Sequence, residues 1–577
     1  MKNRLDGGEA VLEALRNLDV EYIVSSPGSE WSPVWEALSR QTQDKLSGPK
    51  FIQCWHETLA VNIASGFTMM TGRVQAVLLH AAAGMLQGAL GLYAAMRAEI
   101  PIVVLSGESV TLGEDPAVPM EPQWYAGVSV GGSNQLIAPL VKWAGRVQSP
   151  VTLYRSVIRA GEMAVRTPQG PVHLDVPMEY LLHDWGQNSA TEVPQAPKKV
   201  PTADVISGLA RQLVQSRNPV ILAEHAGVDA AAFAALVAFV EALAIPVVGS
   251  PSASCANFPY DHPLWLGVGS YQHLQAADFV VLVGGRTPWY PPSSRRTSGR
   301  IVALNEHPMK DWLVYQNLQA DEYLEGDIAA TLGLLVQEAH AIGINPAVVE
   351  ARARKWREAH DRYVAETSSQ RLAARQSNKL NVPAICEILT RLMPPETIYV
   401  EETITHATAL RHHLPLNRAQ SFFRHNGGGL GQGIGISLGI KLAAPERPVV
   451  FLAGDGSMLY NPIVQALGAS KNHKLPLLIV VFNNSSYASM KGGHQVFYPD
   501  GVASRQGYEF GVKIDAPPFD ELGVPFGCFF GARVESADEF ESALVQATAA
   551  MADGRTAIIN AVVPDEGRAL NPASKAS

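Results

Sequence analysis

An apolar run, Val449 to Ala453, stops at Gly454-Asp455-Gly456-Ser457. A second, Pro476 to Phe482, stops at Asn483-Asn484, with 27 residues between Gly456 and Asn484. This spacing implies a strand, a tight turn and a helix, followed by a second strand that ends in the Asn pair. Asp455 and Asn484 offer side-chain oxygens, and Ser486 can add a backbone carbonyl. A hard cation such as Mg²⁺ takes such oxygens in octahedral geometry and fills the rest of its shell with phosphate. The glycines allow a sharp turn and a close approach to an anion. The following helix would aim its free N–H groups and positive dipole end at that anion.

Strands and helices alternate through three segments, which implies parallel sheets covered on both faces. The expected fold is α/β, with three doubly wound parallel-sheet domains over residues 1–188, 198–345 and 376–565. A polar, Pro-containing linker (Gln187 to Pro201) follows the first, and a charged helical connector (Val348 to Arg375) precedes the third. At 577 residues the chain is too long for one domain. With 47% hydrophobic and 17% charged residues it has the profile of an ordinary soluble enzyme. A net charge of −9 with dispersed basic residues argues against a nucleic-acid partner. No apolar run reaches the roughly 18 residues a membrane span needs. The amino terminus, MKNRLDGGEAVLEAL, lacks a signal-peptide core, which points to the cytoplasm. Cys54, Cys255, Cys386 and Cys528 lie far apart and read as reduced thiols, not as a disulfide framework or a zinc site.

Glu57 opens a helix directly after the apolar strand Phe51 to Cys54, at the carboxyl edge where α/β folds place ligands. The stretch from His56, HETLAVNIASGFTMMTGR, together with Gly454-Asp455-Gly456 and Asn483-Asn484, resembles the signature of the thiamine diphosphate (ThDP) enzymes. The resemblance covers nearly the whole chain and is closest to the branch holding benzoylformate decarboxylase and the acetolactate synthase large subunit. It implies that Gly454, Asp455, Gly456 and Ser457 meet the diphosphate, and that Asp455, Asn484 and Ser486 hold Mg²⁺. Glu57 would hydrogen-bond the aminopyrimidine and promote loss of the thiazolium proton; partial burial would raise its pKa and help it share that proton. Within Gly427-Gly428-Gly429-Leu430-Gly431, Leu430 would hold the cofactor bent, and the Gly428 carbonyl would accept from its amino group.

Pro27-Gly28-Ser29 resembles a loop whose Ser contacts the substrate carboxylate in the decarboxylase. Leu79-His80-Ala81-Ala82-Ala83-Gly84 is similar to a run whose His transfers protons, a role suited to a group that titrates near neutral pH. Ser29 and His80 are therefore expected in the substrate pocket. The chain also departs from both relatives. Arg286-Thr287-Pro288-Trp289-Tyr290-Pro291-Pro292 carries no second His, and Ser485 to His494 lacks the Trp that acetolactate synthase uses for its second keto acid. Gly284-Gly285-Arg286 weakly echoes an FAD element, but the Pro-rich stretch after it does not, so FAD is possible and not favoured. His412-His413 reads as a solvated helix face.

The resemblance implies a Mg²⁺- and ThDP-dependent lyase that decarboxylates a 2-keto acid without oxidation and has carboligase capability. It also implies a homodimer or a dimer of dimers. An acetolactate synthase-like carboligase, an FAD-using oxidase and a cyclic-diketone hydrolase of the same family stay open.

Overall fold

The computed structural model describes residues 5–26, 28–111, 124, 132–186, 192–289, 297–313, 319–424, 429–527 and 529–565. They form three six-stranded sheets in which every pairing of strands is parallel. The first contains β1 (Tyr22–Ser25), β2 (Lys50–Gln53), β3 (Gln75–Leu79), β4 (Ile102–Glu108), β5 (Trp143–Arg146) and β6 (Val172–Pro177), in the order β2-β1-β3-β4-β6-β5. The second contains β7 (Pro219–Ala223), β8 (Val247–Gly249), β9 (Trp265–Val268), β10 (Phe279–Val283), β11 (Arg300–Asn305) and β12 (Glu322–Glu325), in the order β12-β11-β10-β7-β8-β9. The third contains β13 (Ile398–Glu402), β14 (Phe422–Arg424), β15 (Val449–Gly454), β16 (Leu478–Asn483), β17 (Phe529–Val534) and β18 (Thr556–Val562). Its order, β14-β13-β15-β16-β18-β17, repeats that of the first sheet strand for strand.

The inner strands are buried along their length because helices cover both faces, which is why they read as unbroken apolar runs. The first and third sheets share one apolar core. Its centre is the crossing of two helices, Glu57–Thr71 and Gly433–Ala443. Here backbone meets backbone. A Cβ on Gly66 would lie 2.2 Å from the Ile436 carbonyl oxygen, and one on Gly439 would lie 2.0 Å from that of Ile63. Only glycine permits that approach.

The charged connector is a single helix of 31 residues, Pro346–Gln376. It anchors on the second sheet through buried Trp356 and through His360, whose Nδ1 lies 2.9 Å from the Trp265 carbonyl oxygen. Cys54, Cys255 and Cys386 are buried and unpaired; Cys528 lies outside the described residues.

His412 and His413 do not form a solvated face. They end the short helix Ala407–His413, and His413 is buried with its pKa pulled down to about 4 by that burial. The connector helix lies over this end, where Arg371 donates to the His413 carbonyl at 3.0 Å. Two adjacent imidazoles look polar in sequence, but tertiary packing around this short helix buries the second of them.

Gly439→Ala tests the helix crossing. Overpacking a contact between backbones costs about 2 kcal/mol, so the melting temperature should fall by several degrees in a thermal scan. Gly333→Ala, inside the helix Ile328–Ile342 where a Cβ meets nothing within 4 Å, should hold or slightly raise it.

Candidate functional site

The strand order of the third sheet reverses between β13 and β15, and α/β sheets open a ligand crevice at such a point. β15 delivers Gly454 to this edge and β16 delivers Asn483. Asp455 opens the helix Asp455–Tyr460 and is only 3% exposed. Its Oδ1 accepts the Gly456 N–H at 2.7 Å and its Oδ2 accepts the Asn484 N–H at 3.1 Å. Asn484 Oδ1 accepts the Ser486 N–H at 3.1 Å. Asp455, Asn484 and Ser486 are thus brought into one knot of backbone and side-chain oxygens. Burial pushes the Asp455 pKa up, opposed by the backbone N–H groups of Gly456 and of residues 484–486. Ser457 is buried beside them, and its carbonyl accepts from Asn461 Nδ2 at 2.8 Å.

The glycine-rich bend lies next to this knot. Leu430 is half-buried just before the helix Gly433–Ala443. Gly431 has φ +96°, and a Cβ on it would meet the Tyr460 carbonyl oxygen at 2.4 Å. Its own carbonyl accepts from Asn62 Nδ2, on the Glu57–Thr71 helix, at 3.5 Å. Gly428 lies outside the described residues.

The first sheet supplies a different set. Glu57 begins its helix, is half-buried, and has no hydrogen-bond or ion-pair partner for its carboxylate among the described residues. A Cβ on Gly84 would lie 3.0 Å from His80 Cβ and 3.7 Å from Glu57 Oε1, so these two side chains share one corner. His80 Nδ1 stands 2.9 and 3.0 Å from the two carboxylate oxygens of Glu30, which also accepts the Ala81 N–H at 2.9 Å. Glu30 is fully buried. Its bond to His80 is the main reason the His80 pKa is raised, with Glu57 adding a smaller push and desolvation opposing both. Ser29 is exposed and opens the turn Ser29–Trp31, whose Trp31 Nε1 donates to the Leu79 carbonyl at 2.9 Å beside His80.

Three models of thiamine pyrophosphate enzyme domains match this chain: the N-terminal TPP binding domain at residues 5–123, the central domain at 206–335 and the C-terminal TPP binding domain at 404–561. The chain belongs to the thiamine pyrophosphate enzymes. Benzoylformate decarboxylase of Pseudomonas aeruginosa is 27% identical over 94% of this chain and 96% of its own length. An Escherichia coli acetolactate synthase large subunit (isozyme 3) is 24% identical over 97% and 95%. A probable 2-ketoarginine decarboxylase of P. aeruginosa is 25% identical over 91% and 89%. The crystal structure of benzoylformate decarboxylase from Polynucleobacter necessarius superposes with a TM-score of 0.76 at 21% identity, over 98% of this chain and all of that one.

The third-sheet knot of this thiamine pyrophosphate enzyme suits the cofactor. Among the described residues no three His, Cys, Asp or Glu side chains gather as a metal site. A cation at Asp455 and Asn484 would therefore meet one carboxylate and neutral oxygens, and would need an anionic ligand such as a diphosphate to balance its charge. Gly456 sits so close to the Tyr487 ring that a Cβ would lie 2.5 Å from it, so this turn has no room for a side chain.

Two buried acids next to the candidate site escape the motif reading. Glu30 locks His80, and Glu402, at the end of β13, takes the N–H groups of Gly431, Gln432 and Gly433. Each is an acid at or just past the end of an apolar strand, a position where burial is expected and a partner is required.

Glu30→Gln removes the charge that favours imidazolium at position 80. The pH at which His80 titrates should fall. Carbethoxylation of His80 by diethyl pyrocarbonate, followed against pH by mass spectrometry, reads this directly; an unchanged profile would contradict the assignment.

Proposed function

We propose that this enzyme uses ThDP and Mg²⁺ to decarboxylate a 2-keto acid without oxidation, and that it can also join the resulting fragment to a second carbonyl. The observation that carries this reading is the Glu30–His80 pair standing beside Glu57 at the carboxyl edge of the first sheet. When bound, ThDP supplies the electron sink that loss of CO₂ from a 2-keto acid requires.

The chain's own residues divide the remaining work. Asp455 and Asn484 side-chain oxygens and the Ser486 carbonyl hold the metal, and Gly454, Gly456 and Ser457 border the diphosphate. Leu430 would support the cofactor from the bend, and Glu57 would hydrogen-bond its aminopyrimidine. Gly428 remains an expected acceptor for the amino group. The Ser29 hydroxyl donates to the substrate carboxylate. Glu30 accepts the hydrogen bond of His80 Nδ1–H, which leaves Nε2 as the nitrogen that moves a proton to or from the substrate. A buried carboxylate at Nδ1 fixes both the ring's orientation and its tautomer.

Oligomerisation belongs to the same proposal. Leu86 and Leu90 on the helix Ala83–Arg97 are exposed, as are Leu459, Tyr460 and Val464 next to the Asp455 turn. We assign these faces to a second copy of the chain, so that Glu57 of one copy serves the diphosphate site of the other. Leu86→Glu with Val464→Glu should shift the sedimentation profile towards monomer and lower cofactor affinity together. A stable dimer in that variant would contradict the assignment.

The test of function is a panel of 2-keto acids, with CO₂ release and product mass measured with and without ThDP and Mg²⁺. Aldehyde and CO₂ are expected as main products; acetolactate from pyruvate as the main product would favour the synthase reading. Glu57→Gln should lower turnover about a hundredfold or more. Turnover near wild type would remove Glu57 from cofactor activation.

A further inference from the structure

Glu402 is 7% exposed and lies at the last position of β13, in register with Ala453 one residue before Gly454. Its Oε1 accepts the N–H groups of Gly431 at 2.7 Å and Gln432 at 3.0 Å. Its Oε2 accepts Gly433 N–H at 3.2 Å and Asn461 Nδ2 at 2.7 Å. Asn461 extends the set: its Oδ1 accepts the Ile434 N–H at 3.2 Å, and its Nδ2 also reaches the Ser457 carbonyl at 2.8 Å. The adjacent Glu401 is ion-paired with Arg411 and Arg424, whereas no cation pairs with Glu402 among the described residues.

A buried carboxylate with no cation is tolerated only while its hydrogen bonds stay made. Four N–H donors satisfy both oxygens here, and three are consecutive backbone groups of the bend that carries Leu430. Any shift of that bend would strand a charge in the interior, so the carboxylate works as a lock. The lock also reaches the Asp455 turn through Asn461 and Ser457. Burial raises the Glu402 pKa, and these donors oppose that rise only in part.

We propose that Glu402, through Asn461, is a positioning residue that fixes the Leu430 bend relative to the diphosphate turn, so that the cofactor's rings and its diphosphate are held in one geometry. This rests on the cofactor assignment above. The competing reading is a plain helix cap, in which Glu402 only satisfies the first N–H groups of Gly433–Ala443.

The two readings separate by ligand. Inorganic diphosphate with Mg²⁺ occupies only the anion end of the site, whereas ThDP with Mg²⁺ also needs the bend. Both dissociation constants are measured by calorimetry on the wild-type protein and on Glu402→Gln, which keeps the shape and replaces an acceptor with a donor. Loss of a charged hydrogen-bonding group predicts about tenfold weaker ThDP binding, with diphosphate binding within about twofold, and partial recovery of ThDP affinity in Glu402→Asp. Asn461→Ala keeps the carboxylate and should show the same selective loss at smaller size, which serves if Glu402→Gln does not fold. Equal weakening of both ligands, or a lower melting temperature with both affinities intact, would overturn the positioning role. A wild-type chain that binds Mg²⁺-diphosphate but not ThDP would overturn the cofactor assignment and this inference with it.

Discussion

The contact that ties the carboxyl edges of the first and third sheets together within one chain is the crossing of the Glu57–Thr71 and Gly433–Ala443 helices. Gly66 and Gly439 let one backbone rest directly on the other, with no side chain between them. Protein interiors are packed as densely as organic crystals, so a contact of this kind has almost no slack. Glu57 begins one helix, and the Leu430–Gly431 bend leads into the other. Asn62 Nδ2, donating to the Gly431 carbonyl, carries the contact from the crossing up to the bend. The geometry of both carboxyl edges is therefore set by two glycines buried well below them.

The identical strand order of the first and third sheets gives this contact a simple origin. In each sheet the helix in question follows the edge strand, β2 or β14, and precedes the strand on the other side of the switch point, β3 or β15. The crossing thus joins equivalent helices of two like domains. The domains have divided the chemistry. The first presents ionisable side chains, Glu57, Glu30 and His80, while the third presents backbone N–H groups, glycines and the oxygens of Asp455 and Asn484. The second sheet, with its own order, contributes none of the residues named at either edge.

The fold class was legible because buried parallel strands read as apolar runs broken by polar turns, and the turns that end β15 and β16 carry the chemistry on their surface. Glu57 was picked out for a similar reason, as an acid shortly after a strand, and it opens the helix Glu57–Thr71 as expected. Glu30 and Glu402 were not, because their hydrogen-bond partners lie far along the chain. Glu30 acts on His80, 50 positions away, and Glu402 on Gly431, 29 positions away. Neither the turn that holds Glu30 nor the end of β13 that holds Glu402 carries a local mark of such a partner. His413 was misread for the converse reason: its burial comes from tertiary packing, which the local pattern does not contain.

Calorimetric titration of ThDP into the cofactor-free protein, with and without Mg²⁺ and on Asp455→Asn, tests the central claim most directly. One ThDP per chain, bound only with the metal and lost when Asp455 loses its charge, is the expected result. Binding that ignores both Mg²⁺ and Asp455, or no binding under any metal condition, would contradict it.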